Sequence, residues 1–232
     1  MTKDVTVVIT SCGRTDLLER TLESFFKVNT YPIKRVIITE DSGIPQDFSK
    51  VRSLVPCELD IIENAVNLGQ IKSIDLAYAK VDTDYIFHCE EDWEFYKSGF
   101  IEKSFEILEA DPKIFTVWLR GHHDTKNHAI VKDERFELPN GDYYYLMNQY
   151  HKKVWCGFTF NPGLRRTSDC MKFHPYDSLE VKIIKNGLSV MGEMDMSIYY
   201  QEQGYRGAIT SNEEGYVRHI GGKRHIPLPW QL

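Results

Sequence analysis

Acidic side chains occur in groups in this chain, and two of the groups close apolar runs. Glu40 and Asp41 follow residues 35–39 (RVIIT), and Glu90, Glu91 and Asp92 follow residues 85–89 (YIFHC). A third pair, Glu193 and Asp195, opens a helical stretch. Carboxylates are hard oxygen donors, suited to Mg2+ or Mn2+ and to the hydroxyls of a nucleoside. A carboxylate with a free oxygen can also take a proton from an attacking hydroxyl. Downstream, His219 precedes Gly221 and Gly222, and Lys223 and Arg224 follow. An imidazole there could join a metal site, and the cations could neutralise phosphates. Solvated turn acids and a solvated basic tail are the plain alternatives. Two acidic clusters at the ends of buried strands favour chemistry over that reading.

The composition bounds the setting. The chain has 232 residues with a net charge of −6, 42% hydrophobic and 27% charged residues. That suffices for a large core without disulfides, and the acidic balance argues against general nucleic-acid binding. Five cysteines, at 12, 57, 89, 156 and 170, give an odd number and no C-x-x-C. A zinc knuckle or a fully paired disulfide framework is not expected. His122, His123 and His128 sit in a polar stretch where adjacent histidines diverge into solvent, so zinc is not expected either. His88 and Cys89 fall within a strand and are expected in the core. The N-terminus has no secretory apolar region, and no run approaches about 20 apolar residues. A cytoplasmic setting is the expectation, with peripheral contact at the inner face of a membrane left open.

These residues need a frame. Residues 5–10 (VTVVIT) read as a strand covered on both faces. Thr15 is the expected N-cap of a helix whose Leu18, Leu22, Phe25 and Phe26 share one face. Strands over 35–39, 58–63 and 85–89 alternate with helices near 47–54 and 70–80. This β-α-β-α-β-α-β order predicts an α/β fold, a single Rossmann-like three-layer domain with a mainly parallel sheet and right-handed crossovers. Ligands of such sheets bind beyond the carboxyl ends of the strands, where the acids fall. Further on, a helix over 98–110 and a strand over 114–119 are expected. Residues 120–150 read as a long loop, 154–160 as a strand, 193–203 as a helix, and 206–210 and 216–220 as short edge strands.

The ordered motifs resemble family 2 glycosyltransferases with the type-A nucleotide-sugar-binding fold. TSCGR (10–14) is similar to the family's turn after its first strand, with Gly13 where Asn is usual. IITEDSG (37–43) is similar to its D-D-x-S turn, and NLGQIKSIDLAYAK through HCEED (67–92) to its run from N-x-G to the D-x-D motif. The resemblance implies one glycosyltransferase domain over 1–232, with a nucleotide-sugar half over 1–95 and an acceptor-binding and catalytic half over 96–232. It implies donor contacts from Thr10, Cys12, Arg14, Glu40, Asp41, Asn67, Gly69, Lys72, Glu90, Glu91 and Lys223. It implies Asp92 and His219 as ligands of Mn2+ or Mg2+, with Glu90 replacing the family's usual Asp.

GEMDMSIYYQEQGYR (192–206) looks like the family's E-D-x-D-L segment, which supplies the base in inverting members. By that likeness the base is Glu193 or Asp195; two acids two apart on a helix diverge, so one of them serves. Trp155, Gly157 and Arg165 fall in what looks like the acceptor-side segment. Tyr143–Tyr145 and Tyr150 could line an acceptor groove or simply pack. The implied function is metal-dependent, inverting transfer of a sugar from a nucleoside diphosphate sugar, UDP-linked by expectation, to a glycan, lipid-linked or other hydroxyl acceptor in glycan or polysaccharide synthesis. The alternatives are a non-catalytic nucleotide-sugar or carbohydrate-binding module, and a sugar-phosphate nucleotidyltransferase. The latter needs a Gly-rich loop with Arg and Lys after the first strand, for which residues 11–14 are too sparse.

Overall fold

The computed structural model describes residues 3–149, 157–182 and 191–222. At its centre lies β1 (Val5–Ser11), whose seven residues are all buried. Parallel neighbours β2 (Arg35–Glu40) and β4 (Tyr85–Glu90) flank it, and β3 (Glu58–Glu63) extends the β2 side. A short antiparallel strand, β9 (Gly163–Arg166), closes the β4 edge. Alternation along β1 and β2 separates two cores. Val7, Ile9 and Ile38 face one side with Leu18, Leu22 and Phe25 of α1 (Thr15–Val28). Val8 and Ile37 face the other, with Ile71, Ile74 and Tyr78 of α3 (Gln70–Tyr78). Each large apolar side chain so buried contributes about 1.5–3 kcal/mol. Two helices, α2 (Ser49–Leu54) and α4 (Phe100–Ala110), complete the first layer.

Register brings the acids to one edge. Ser11 pairs with Glu40 across β1 and β2, and Thr10 with Glu90 across β1 and β4. Gly13, at φ +67°, turns the chain out of β1. The N-cap of α1 is Arg14 rather than Thr15, and it caps without a side-chain bond. Thr15 instead donates to Gln46, at 3.0 Å.

The second half is more ordered than its sequence suggests. Residues 120–150 are not one long loop: they hold β7 (Ile130–Glu137) and β8 (Tyr143–Met147), a hairpin. The hairpin joins β6 (Ile114–Trp118) and β10 (Arg206–Thr210) in a four-stranded sheet of order β6-β10-β8-β7. So β10 is an interior strand, parallel to β6 and antiparallel to β8, not an edge. Of the expected strand over 154–160, residues 157–160 are irregular, and residues 154–156 lie outside the described residues. A one-turn helix, α5 (Thr167–Cys170), follows β9, and α6 (Glu193–Glu202) packs Met196 and Tyr200 into the second core. Finally β5 (Trp93–Phe95) pairs with β11 (Val217–His219), setting Trp93 opposite His219. No helix among the described residues is long and apolar enough to cross a membrane.

Candidate active site

The turn after β1 wraps around two carboxylates. Glu40, buried, accepts from the Ser11 hydroxyl and from the backbone N–H of Gly13 and Ser42, all at 2.8–2.9 Å. Glu91 accepts from Cys12 N–H at 3.2 Å and from Arg14 Nε at 2.8 Å. These acids shape the loop, and neither is presented bare to a ligand. Asp41 does the same for the next loop: it accepts from Asn64 Nδ2 and from the N–H groups of Leu68 and Gly69 at 2.7–2.8 Å. Asn67, from that loop, reaches Cys12 Sγ at 3.5 Å. Burial pushes the Cys12 thiol up to about 11, helped by the charges of Glu40, Asp41 and Glu91.

Asp92 stands where β4 gives way to β5. Its Oδ2 lies 2.9 Å from Arg14 Nη2 and 3.2 Å from His219 Nε2. Burial pushes its carboxyl up, but His219 and Arg14 outweigh that and hold it below the usual aspartate value. The β5–β11 pairing brings His219 there, and Ile220 N–H donates to the Asp92 carbonyl at 2.8 Å. Gly221 then passes so close that a Cβ on it would lie 2.4 Å from Asp92 Oδ2. Trp93 ties the region together. Its indole N–H donates to Glu90 at 3.3 Å, its ring edge meets His219, and the Arg120 guanidinium stacks on it at 4.9 Å.

The Asp92–His219 pair fits a divalent cation. Asp92 Oδ2 and His219 Nε2, 3.2 Å apart and hydrogen-bonded to each other here, are oxygen and nitrogen donors that would hold such an ion. Among the described residues no group of three or more His, Cys, Asp and Glu gathers as a metal site. Phosphate oxygens and water would complete the shell, as is usual for such ions.

Glu90 and Glu193 face each other closely enough for their charges to repel. Burial, then the charges of Asp92, Glu193 and Glu91, push the Glu90 carboxyl up to about 8. Gln70 Nε2, at the start of α3, donates to Glu90 at 2.8 Å. Glu193, the first residue of α6, accepts from Phe160 N–H at 2.6 Å through Oε1. Burial raises its pKa; bonds from Thr159 and Phe160 and the charges of Arg165 and Arg120 oppose that without reversing it. Asp195 differs. It is 3% exposed, and its oxygens accept from Lys182 N–H at 2.7 Å and Gly192 N–H at 3.2 Å. Both bonds anchor the start of α6.

Two other expected residues lie elsewhere. Arg165 is wholly buried and bonded within the fold. Lys72 points to Asp177, at 3.6 Å, on the outside of α3. Gly157 serves as backbone: its carbonyl accepts from Trp118 Nε1 at 3.3 Å and abuts Gly207. Thr10 is buried beneath the turn, its carbonyl accepting from Glu91 N–H at 3.1 Å. Trp155 and Lys223 lie outside the described residues. Sequence reasoning missed Gln70, Trp93, Arg120 and Thr159. Only Trp93 carried a local signal, as the residue directly after the acidic run.

A mainly parallel sheet with acids clustered beyond its carboxyl edge defines an α/β fold of the kind that binds ligands at that edge. The model of glycosyl transferase family 2 matches residues 6–170, and the chain belongs to that family. A search of curated proteins by sequence found no match. Among solved structures, the chain is similar to the mannosyltransferase PcManGT from Pyrobaculum calidifontis in complex with GDP-Man and Mn2+, at 13% identity and a TM-score of 0.64, covering 96% of this chain and 59% of that one. It is similar also to S. aureus TarS 1–349, at 12% identity and a TM-score of 0.61, covering 95% and 61%. At these identities the likeness is one of fold. The chain spans about three-fifths of the length of those structures.

Proposed function

We propose that this protein transfers a sugar from a nucleoside diphosphate sugar to an acceptor hydroxyl, with a divalent cation bound at Asp92 and His219 and with Glu193 as base. The observation that carries this reading is the division of labour among the acids. Glu40, Glu91 and Asp41 are consumed in holding loops. Asp92 is held ionised beside His219, and Glu193 is gripped through Oε1. A Mn2+ or Mg2+ ion there would neutralise charge developing on the diphosphate as it leaves. The PcManGT complex holds GDP-Man and Mn2+, which is consistent with both ligands.

The roles of this chain's own residues follow. The turns at 10–14 and 40–43 and the loop at 67–69 form the nucleotide end, and residues 1–95 constitute the donor half. Residues 96–232 supply the acceptor side. Glu193 accepts the acceptor's hydroxyl proton while that oxygen attacks the anomeric carbon and the bond to the diphosphate breaks. Direct displacement inverts the anomeric centre. Base catalysis of this kind is worth about 10²–10⁴-fold. A UDP-linked donor and a role in glycan or polysaccharide synthesis belong to the same proposal, as does a cytoplasmic setting.

Calorimetry with a panel of nucleoside diphosphate sugars, with and without Mn2+, tests the donor. Binding of one donor only when Mn2+ is present supports the reading. Donor binding with no transfer or hydrolysis under any condition replaces it with a binding module. Glu193→Gln tests the base: turnover should fall at least about 100-fold with donor affinity retained.

A further inference from the structure

Arg165 is a cation with 0% exposure, and among the described residues no carboxylate lies within ion-pair distance of it. A buried guanidinium so placed costs several kcal/mol unless its donors are satisfied and its charge has a use. Its Nε finds no partner among the described residues, and its two terminal nitrogens serve different groups. Nη2 donates to the carbonyls of Thr159 and Asn161, and Nη1 to the Tyr78 hydroxyl at 3.1 Å. Tyr78 in turn meets His88 Nδ1 at 3.1 Å, and burial with the nearby Arg165 charge holds His88 well below its ordinary value, hence neutral. The rings of Phe115, Phe158 and Phe160 stand 5.6–5.9 Å from the guanidinium.

The stretch that Arg165 holds is the one that grips Glu193. Phe160 N–H donates to Glu193 Oε1 at 2.6 Å, and the Thr159 hydroxyl bonds the same carboxylate while accepting from Asn161 N–H at 3.1 Å. We infer that Arg165 is a positioning residue for Glu193. From inside the core it fixes the backbone of residues 159–161, so that Thr159 and Phe160 hold the carboxylate in one orientation toward the acceptor. Its positive charge, felt through that segment, favours the ionised carboxylate. This inference rests on the reading of Glu193 as base.

The titratable and charged groups facing Glu193 are Glu90 from β4, Arg120 from beyond β6 and Arg165 from β9. Glu90, pushed up to about 8, is protonated on the acidic limb, so weakening the Arg165 contribution leaves burial less opposed and moves that limb of the kcat profile to higher pH. Two variants test this. Arg165→Lys keeps the charge but loses the fork that spans two carbonyls and a phenol. Thr159→Val is close in size and removes the hydroxyl, with its bonds to Glu193 and from Asn161 N–H. In both, kcat should fall about 10-fold or more and the acidic limb should rise by about half a pH unit or more. The donor KM and Mn2+ affinity should stay at the wild-type values, because the metal side is untouched.

If Arg165→Lys does not fold, Thr159→Val decides alone. Wild-type kcat and pH profile in the folded variants, with Glu193→Gln inactive, overturn the role of Arg165 and Thr159 and leave the base in place. Wild-type turnover in Glu193→Gln overturns the base reading itself, and this inference with it.

Discussion

Gly221 offers a direct test of whether Asp92 and His219 act as one site. A Cβ at this position would lie 2.4 Å from Asp92 Oδ2, 3.0 Å from its Cγ and 3.0 Å from His219 Cε1. Ordinary contact begins near 3.4 Å, so Gly221→Ala demands a displacement of about 1.0 Å at Oδ2 and about 0.4 Å at His219. The Asp92 carboxylate cannot swing away cheaply, because Arg14 and His219 both bind the oxygen that must move. A misplacement of about 1 Å at a reacting centre costs about 100-fold, and disturbing the support of a metal ligand costs about 10–100-fold in affinity. Gly221→Ala should therefore bind Mn2+, titrated calorimetrically with a nucleoside diphosphate present, about 10–100-fold more weakly and lose activity to match. Gly221 itself lies outside the left-handed region, so the added methyl acts through this contact and not through backbone strain. Unchanged Mn2+ affinity in a folded Gly221→Ala protein would refute the argument that one cation spans Asp92 and His219.

Other outcomes follow from the same geometry. Asp92→Asn should abolish Mn2+-dependent donor binding without lowering Tm by more than a few degrees, as circular dichroism melting can check. Because burial raises the Glu193 pKa, and the base works only when ionised, kcat should fall as pH drops through a value above the ordinary 4.5 of glutamate; a limb at or below 4.5 counts against Glu193. His88 is held well below 6.5, so the unfolded chain binds a proton that the folded chain refuses. Stability from this group is present above pH about 6.5 and lost as pH falls, at up to about 1.4 kcal/mol per pH unit; urea titrations of wild type and His88→Asn should differ in that slope. With the Cys12 thiol near 11, its alkylation in a background lacking Cys57 and Cys156 should accelerate about tenfold per pH unit from pH 7 to 10 and slow when nucleotide binds.

The first ninety residues were legible because each strand there is a short β-branched run and each acid follows directly on it. Position in the sequence then equals position at the sheet's edge, and the register of Thr10 with Glu90 only makes that explicit. The hairpin after residue 120 was opaque for a physical reason. Six of the eight residues of β7 are exposed, and a register shift between Val131 and Phe136 breaks the alternation that marks a strand. Its burial is carried by single contacts, such as Tyr144 stacked on Phe136 at 5.3 Å. Residue type alone leaves Arg165 and Asp195 open to two readings as well. An arginine near an acceptor segment and an acid near a helix start fit a site equally well as a core clamp and a cap. Only the bonds decide, and they join residues 87 and 13 positions apart.

Those bonds also bear on why a cation should be needed at all. Glu90, Glu91, Asp92 and Glu193 lie close enough to raise one another's pKa values or to compete for Arg14, and the chain as a whole carries −6. A diphosphate is itself an anion. Bringing it to this edge costs about 4 kcal/mol for each uncompensated like-charge contact at 4 Å in a partly screened site. Arg14 is spent on Glu91 and Asp92, and Arg120 on Asp124 and the face of Trp93. A divalent ion between Asp92 and the phosphates would convert that repulsion into attraction. Donor affinity should then rise with metal concentration, and Mn2+ affinity should rise by the same factor when donor is present, since the coupling between two ligands is reciprocal.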